Sequence, residues 1–225
     1  MREPSRVFLL RHGQTDWNAA RRLQGHLDMP LNALGRWQAE QLGRALAGEG
    51  IAAVYSSDLL RAQETAQPLA QLLQLPVQTD RALRERHFGH LEGLSYEEID
   101  QRFPEDARGW RLREPDFAPG GGETLAAFFE RSVAAVTRLV APHEGQAVAV
   151  FAHGGVLDCL YRAATGVGLQ APRSWQLGNA SINRLLYTGT VFVLVGWDDH
   201  AHLEADAAAG EAAAGEAAAS AAARA

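Results

Sequence analysis

The stretch Val7-Phe8-Leu9-Leu10-Arg11-His12-Gly13-Gln14-Thr15 decides how this chain is read. Four apolar residues in a row, with no polar alternation, describe a strand buried on both faces, as in a parallel sheet. The run stops at an arginine, a histidine and a turn glycine, so these three sit at the strand's C-terminal end. In open α/β sheets the ligand crevice lies at that edge. An imidazole there, beside a guanidinium suited to phosphate oxygens, is placed to attack phosphorus rather than only to shuttle protons.

The same pattern recurs downstream. Leu34 to Ala47 repeats apolar residues at helical spacing and closes on Gly48 and Gly50. Ala52 to Tyr55 reads as a strand, and Ser56-Ser57-Asp58 as the cap of a helix running from Leu59 towards Leu73. Ser95 with Glu98 has the capping-box spacing of a short helix. Pro104 to Gly122 reads as a loop-like insert, a lid or substrate wall, and Thr124 to Val140 as an amphipathic helix. Ala147 to Ala152 is a second wholly apolar strand. It ends in His153-Gly154-Gly155, and a helix follows over Val156 to Ala164. Ser181 to Tyr187 and Val191 to Trp197 form a hairpin around Thr188-Gly189, whose edge near Val191 is a candidate for pairing subunits into a homodimer. Strands alternating with helices predict a three-layer α/β/α sandwich with a mostly parallel central sheet. Residues 1–204 are read as one domain, and 205–225 as an Ala/Gly/Glu-rich tail with nothing large to bury.

Composition narrows the chemistry. The chain has 225 residues, and all 21 basic ones are arginine. Without lysine there is no Walker-type phosphate loop, Schiff base or pyridoxal-phosphate attachment. Cys159 is the only cysteine, which rules out an intrachain disulfide and a thiolate metal cluster. The net charge of -6 argues against a general nucleic-acid or anionic-membrane binder. The sequence presents neither a signal segment nor a membrane span, which predicts a cytoplasmic protein.

Two strand-end histidines bring two imidazoles together, and Arg61, in Ser56-Ser57-Asp58-Leu59-Leu60-Arg61-Ala62, adds a second guanidinium. Four motifs stand in order: Arg11-His12-Gly13 with Trp17-Asn18, the Ser-Ser-Asp-Leu-x-Arg-Ala run, Leu83-Arg84-Glu85 leading into Glu92-Gly93, and Ala152-His153-Gly154-Gly155. On these the chain resembles the histidine phosphatase superfamily, also called the phosphoglycerate mutase-like family, from Val7 to about Trp197. The resemblance implies that His12 attacks phosphorus and becomes phosphohistidine. It makes Arg11, Arg61 and His153 the other members of the phosphate pocket, and Glu85 the general acid. Asn18, Gln24 and Gly25 match further phosphate-binding positions, and Gly154 offers a backbone N–H at a helix start. No metal and no cofactor are implied.

The family runs two reactions on one pocket. Arg86-His87 after Glu85 is mutase-like, but Phe88 stands where those mutases carry tyrosine. The lysine and adjacent arginine pair that hold phosphoglycerate in them are missing, since Leu112 separates Arg111 from Arg113. Pro119-Gly120-Gly121-Gly122-Glu123-Thr124 resembles a segment of the small phosphatase branch. A phosphomonoester hydrolase acting on a small metabolite is therefore the expectation: a sugar phosphate, a phosphoglycerate derivative or an α-ribazole phosphate. A cofactor-dependent mutase and an inactive phosphate-pocket binding protein are the alternatives. Arg111, Arg113, His87 and Trp110 are expected to face the substrate, with Asn179 and Ser181 at the mouth opposite. Of the remaining histidines, His26, His90, His143, His200 and His202 are expected at the surface or along the substrate wall.

Overall fold

The computed structural model describes residues 3–204, so the tail at 205–225 lies outside the described residues. Six strands form one sheet in the order β3-β2-β4-β1-β5-β6. They are β1 (Ser5–Arg11), β2 (Ile51–Ser56), β3 (Val77–Thr79), β4 (Ala147–Ala152), β5 (Ile182–Tyr187) and β6 (Phe192–Asp199). The four strands β3, β2, β4 and β1 run parallel, while the β5–β6 hairpin adds two antiparallel pairings at one edge.

Alternation along the central strands builds both cores. Val7 and Leu9 of β1, with Val148 and Val150 of β4, face helices α6 (Leu125–Val140) and α7 (Gly154–Thr165). Phe8 and Leu10, with Ala149 and Phe151, face α2 (Ala33–Leu46) and α3 (Leu60–Leu73). Burial on both faces is why neither β1 nor β4 shows polar alternation in sequence. The result is the expected three-layer sandwich.

A third, smaller core lies under the insert, where Leu23, Phe88, Leu91, Ile99 and Ala107 are buried together. It is roofed by α4 (Tyr96–Arg102) and α5 (Pro104–Arg111). Ser95 caps α4 with the expected box to Glu98. The loop expected from Pro104 is instead helical for eight residues, with proline in the first turn beside Glu105 and Asp106. Both features favour a helix start, but so short a helix shows little apolar period.

Two further local expectations are corrected. Thr15 and Asn18 form a capping box for a one-turn helix, α1 (Asp16–Ala19), inside the expected loop. Ser56-Ser57-Asp58 does not supply the cap of α3 as expected. Its N-cap is Leu59, and Asp28 Oδ1 accepts the Leu60 N–H from a distant loop at 2.6 Å. Asp58 is engaged elsewhere, taking two bonds of 2.7 Å from Arg84.

Candidate active site

The register Arg11↔Ala152 between parallel β1 and β4 makes the next residues neighbours, so His12 and His153 leave the sheet side by side. Their ring centroids are 5.3 Å apart. His12 Nδ1 lies 2.7 Å from the Gly13 carbonyl. A carbonyl oxygen only accepts, so Nδ1 carries the proton and Nε2 keeps its lone pair. Burial, then the charges of Arg61 and Arg11, hold the His12 imidazole well below its ordinary pKa, and the ring is neutral at pH 7.

His153 has the opposite tautomer. Arg61 Nε donates to His153 Nδ1 at 3.2 Å, which leaves the proton on Nε2. His153 is wholly buried and is likewise held well below the usual histidine range, by burial and then by Arg61. Among the described residues its Nε2 has no partner, and neither does the buried Nε of Arg11. Two orphan donors beside two guanidinium groups describe a place prepared for an anion.

Arg61 is the rigid post of the site. It is fully buried on α3, and it donates to Leu27 O at 2.9 Å and to Gly25 O at 2.8 Å. Burial lowers its pKa to about 10, so it stays cationic at neutral pH. Gly25 has φ 51°, and a β-carbon there would lie 2.0 Å from Glu92 Oε1. That turn therefore needs glycine. Asn18 Oδ1 takes the Thr15 N–H at 3.0 Å, and Gln24 Oε1 lies 3.0 Å from the Thr15 hydroxyl. Both amide oxygens are thus engaged by Thr15.

Glu85 sits across from the histidines. Its Oε2 accepts from Gly155 N at 2.9 Å and its Oε1 from Arg86 N at 2.8 Å. The α7 N-terminus thus holds this carboxylate through the backbone N–H of Gly155. Its backbone is held as well: His26 Nε2 lies 2.9 Å from the Glu85 carbonyl, and Arg131 of α6 donates to Ala82 O at 2.8 Å and Arg84 O at 3.0 Å. Arg131 is itself fixed by two bonds to Glu123, of 2.8 and 2.7 Å.

Arg11, His12, Asn18, Gln24, Gly25, Arg61, Glu85 and Gly154 all line one cavity of about 570 Å3. His153 stands behind that lining, against His12. Trp110, Arg111 and Arg113 face the cavity as expected. His87 does not; its ring packs against His26 at a tilt, with centroids 4.9 Å apart. Asn179 and Ser181 are not at the mouth either. Asn179 Nδ2 donates to the His12 carbonyl at 3.0 Å from behind the site, and Ser181 is fully buried. The motifs gave no sign of Arg22, Tyr96, Asp158 or Arg173, which also line the cavity. They come from segments far apart in the chain and carry no local pattern. Among the described residues, no group of three or more His, Cys, Asp or Glu is placed to hold a metal ion.

A four-motif site at the C-terminal edge of this sheet defines a phosphoryl-transfer class, and comparison with known proteins makes it specific. The model of the histidine phosphatase superfamily (branch 1) matches residues 7–200, and the chain belongs to that family. It is 41% identical over 202 residues to phosphoglycerate mutase-like protein 4 of Arabidopsis thaliana, covering 88% of this chain and 86% of that one. It is 36% identical over 206 residues to a metal-independent phosphoserine phosphatase of the same plant, covering 90% and 85%. A mycobacterial glucosyl-3-phosphoglycerate phosphatase, solved in complex with VO3, superposes with a TM-score of 0.78 at 34% identity, over 89% of this chain and 100% of that one. At the level of the family, the activity is hydrolysis of small phosphomonoesters, and the phosphoserine phosphatase among the relatives is named as metal-independent.

Proposed function

We propose that His12 is the nucleophile of a phosphatase that works through phosphohistidine, with Glu85 as its general acid and base. Arg11, Arg61 and His153 hold the transferring phosphoryl group, and Asn18, Gln24, Gly25 and Gly154 complete its cradle. His12 Nε2 bonds to phosphorus as the ester P–O bond breaks, and Glu85 gives a proton to the departing oxygen. Water then attacks the phosphohistidine, Glu85 takes its proton, and the P–N bond breaks to release inorganic phosphate. The arginines and the His153 N–H offset charge on the equatorial oxygens without rearranging.

One observation carries this assignment: a neutral imidazole, its Nδ1 proton fixed on Gly13 O, stands among buried donors that have no partner. Hydrolysis is favoured over mutase chemistry by the state of the insert's arginines. Arg111 is paired with Asp100 and Arg113 with Asp158, so neither is left as a free clamp for a substrate carboxylate.

The substrate is a small phosphorylated metabolite, in keeping with relatives named for phosphoserine and glucosyl-3-phosphoglycerate. The proposed setting is cytoplasmic, and residues 1–204 act as one domain. Two chains pair along β6, the sheet's edge, where Val193 and Val195 are exposed, with Val191 just before the strand. Light scattering tests that pairing, and a monomer at micromolar concentration removes it. The catalytic assignment is tested by phosphate release from an aryl phosphate and a panel of metabolite esters. His12→Ala is expected to abolish release, and wild-type-like release from that variant would end the assignment.

A further inference from the structure

Beyond the phosphate cradle, the residues that line the cavity include a buried carboxylate that the proposed chemistry leaves unused. Asp158 lies on α7 and lines the cavity, yet its side chain is only 8% exposed. Its Oδ2 is fully engaged, accepting from Arg113 Nη2 at 2.8 Å and from Arg162 Nε at 2.9 Å. Its Oδ1 is buried and has no hydrogen-bond partner among the described residues. Arg162 is pinned in turn by the carbonyls of Gly168 and Ala171, so the carboxylate cannot easily rotate to share its oxygens. A buried acceptor without a donor calls for a cause. Asp158 is among the residues that line a cavity of about 570 Å3, far larger than a phosphoryl group needs, which leaves the outer space to the leaving group.

We propose that Asp158 Oδ1 is a specificity contact, accepting a hydrogen bond from an O–H or N–H donor carried by the substrate's leaving group. The inference rests on the phosphatase function above and deepens it. The substrate class becomes phosphomonoesters whose carbon skeleton bears a hydroxyl or an ammonium group, distinguished from the same skeleton without one. A polar site built for such a donor rejects the analogue lacking it, because the acceptor is then left unpaired.

Three probes differ at one position only: 3-phosphoglycerate carries a hydroxyl at C2, O-phosphoserine an ammonium, and 3-phosphooxypropanoate hydrogen. The readout is the ratio of kcat/KM for each donor-bearing ester to that for the deoxy ester, within each protein. In the wild type at least one ratio is expected to be about tenfold or more, and the larger of the two says which donor is used. In Asp158→Asn the carbonyl oxygen must take the Oδ2 place, since Arg113 and Arg162 only donate. The NH2 then replaces the orphan acceptor with a donor, and the ratio is expected to collapse towards one. Asp158→Glu keeps the charge opposite both arginines but displaces the free oxygen. It is expected to lower the same ratio, and it provides the test if the asparagine variant does not fold. Equal wild-type rates on the three esters would overturn the proposal, as would an unchanged ratio in a folded variant. So would turnover of an aryl phosphate with none of the three esters cleaved. Failure of the wild type on every ester, the aryl phosphate included, would instead count against the phosphatase assignment on which the contact rests.

Discussion

Replacing Gly155 with alanine puts the least material where the site has the least room. A β-carbon at that position would lie 2.1 Å from Glu85 Oε1 and 2.9 Å from two ring carbons of Phe128. The carboxyl end of Glu85 is the softer neighbour, because Phe128 is packed in the core between α6 and the sheet. The glutamate therefore swings away and loses its 2.9 Å bond from Gly155 N. Overpacking of this kind costs about 1–3 kcal/mol of stability. The larger effect falls on proton delivery to the leaving group, worth about 10²–10⁴-fold where the leaving oxygen is basic. Steady-state kinetics on an alkyl phosphate and on p-nitrophenyl phosphate separate the two effects, since nitrophenolate departs without a proton. We expect Gly155→Ala to lose about 100-fold in kcat/KM on the alkyl ester and much less on the aryl ester. Equal losses on both, with the fold retained, would refute the claim that Gly155 acts by seating Glu85.

The remaining predictions follow the same geometry. Arg131→Met removes the bonds to Ala82 O and Arg84 O that hold the Glu85 segment. It should likewise slow alkyl esters more than aryl ones, and a uniform loss across leaving groups would reduce Arg131 to a structural role. Acid should destabilise the fold through His12 and His153, whose folded pKa values lie well below the usual 6.5. As pH falls through that value the unfolded chain takes up protons that the folded chain does not. Stability is then lost at up to about 1.4 kcal/mol per pH unit for each histidine. Thermal melts from pH 7.5 to 5.5 should show a falling Tm, and a flat profile would contradict the buried neutral pair. Because arginines supply the positive charge of the cradle, EDTA should leave turnover unchanged; loss on chelation, restored by a divalent ion, would overturn that.

The parts of the site legible in the sequence are those that a strand delivers locally. Arg11-His12 and His153 each end a run of apolar residues, and parallel pairing then fixes their adjacency without further information. Arg61 was legible by motif, but its burial and its bonds to Gly25 O and Leu27 O were not, because they join segments 34 and 36 residues apart. The support of Glu85 was hidden for the same reason. Gly155, Arg131 and His26 reach it from α7, α6 and a loop, and no periodicity links them. Helix α5 is not legible in the sequence because its eight residues behind a proline bury only Ala107 and Gly109, which leave no apolar stripe to read. The cap of α3 is hidden for a different reason: Asp28, which supplies it, is 32 residues away in the chain from Leu60.

The most direct test of the central claim is to trap the intermediate. The protein is mixed with a radiolabelled phosphomonoester, quenched in alkali within milliseconds, and its phosphopeptides are sequenced. The account predicts an acid-labile, alkali-stable phosphoryl group on His12, absent from His12→Ala and longer-lived in Glu85→Gln. Turnover with no phosphoprotein in wild type or Glu85→Gln, or label on any residue other than His12, would contradict it.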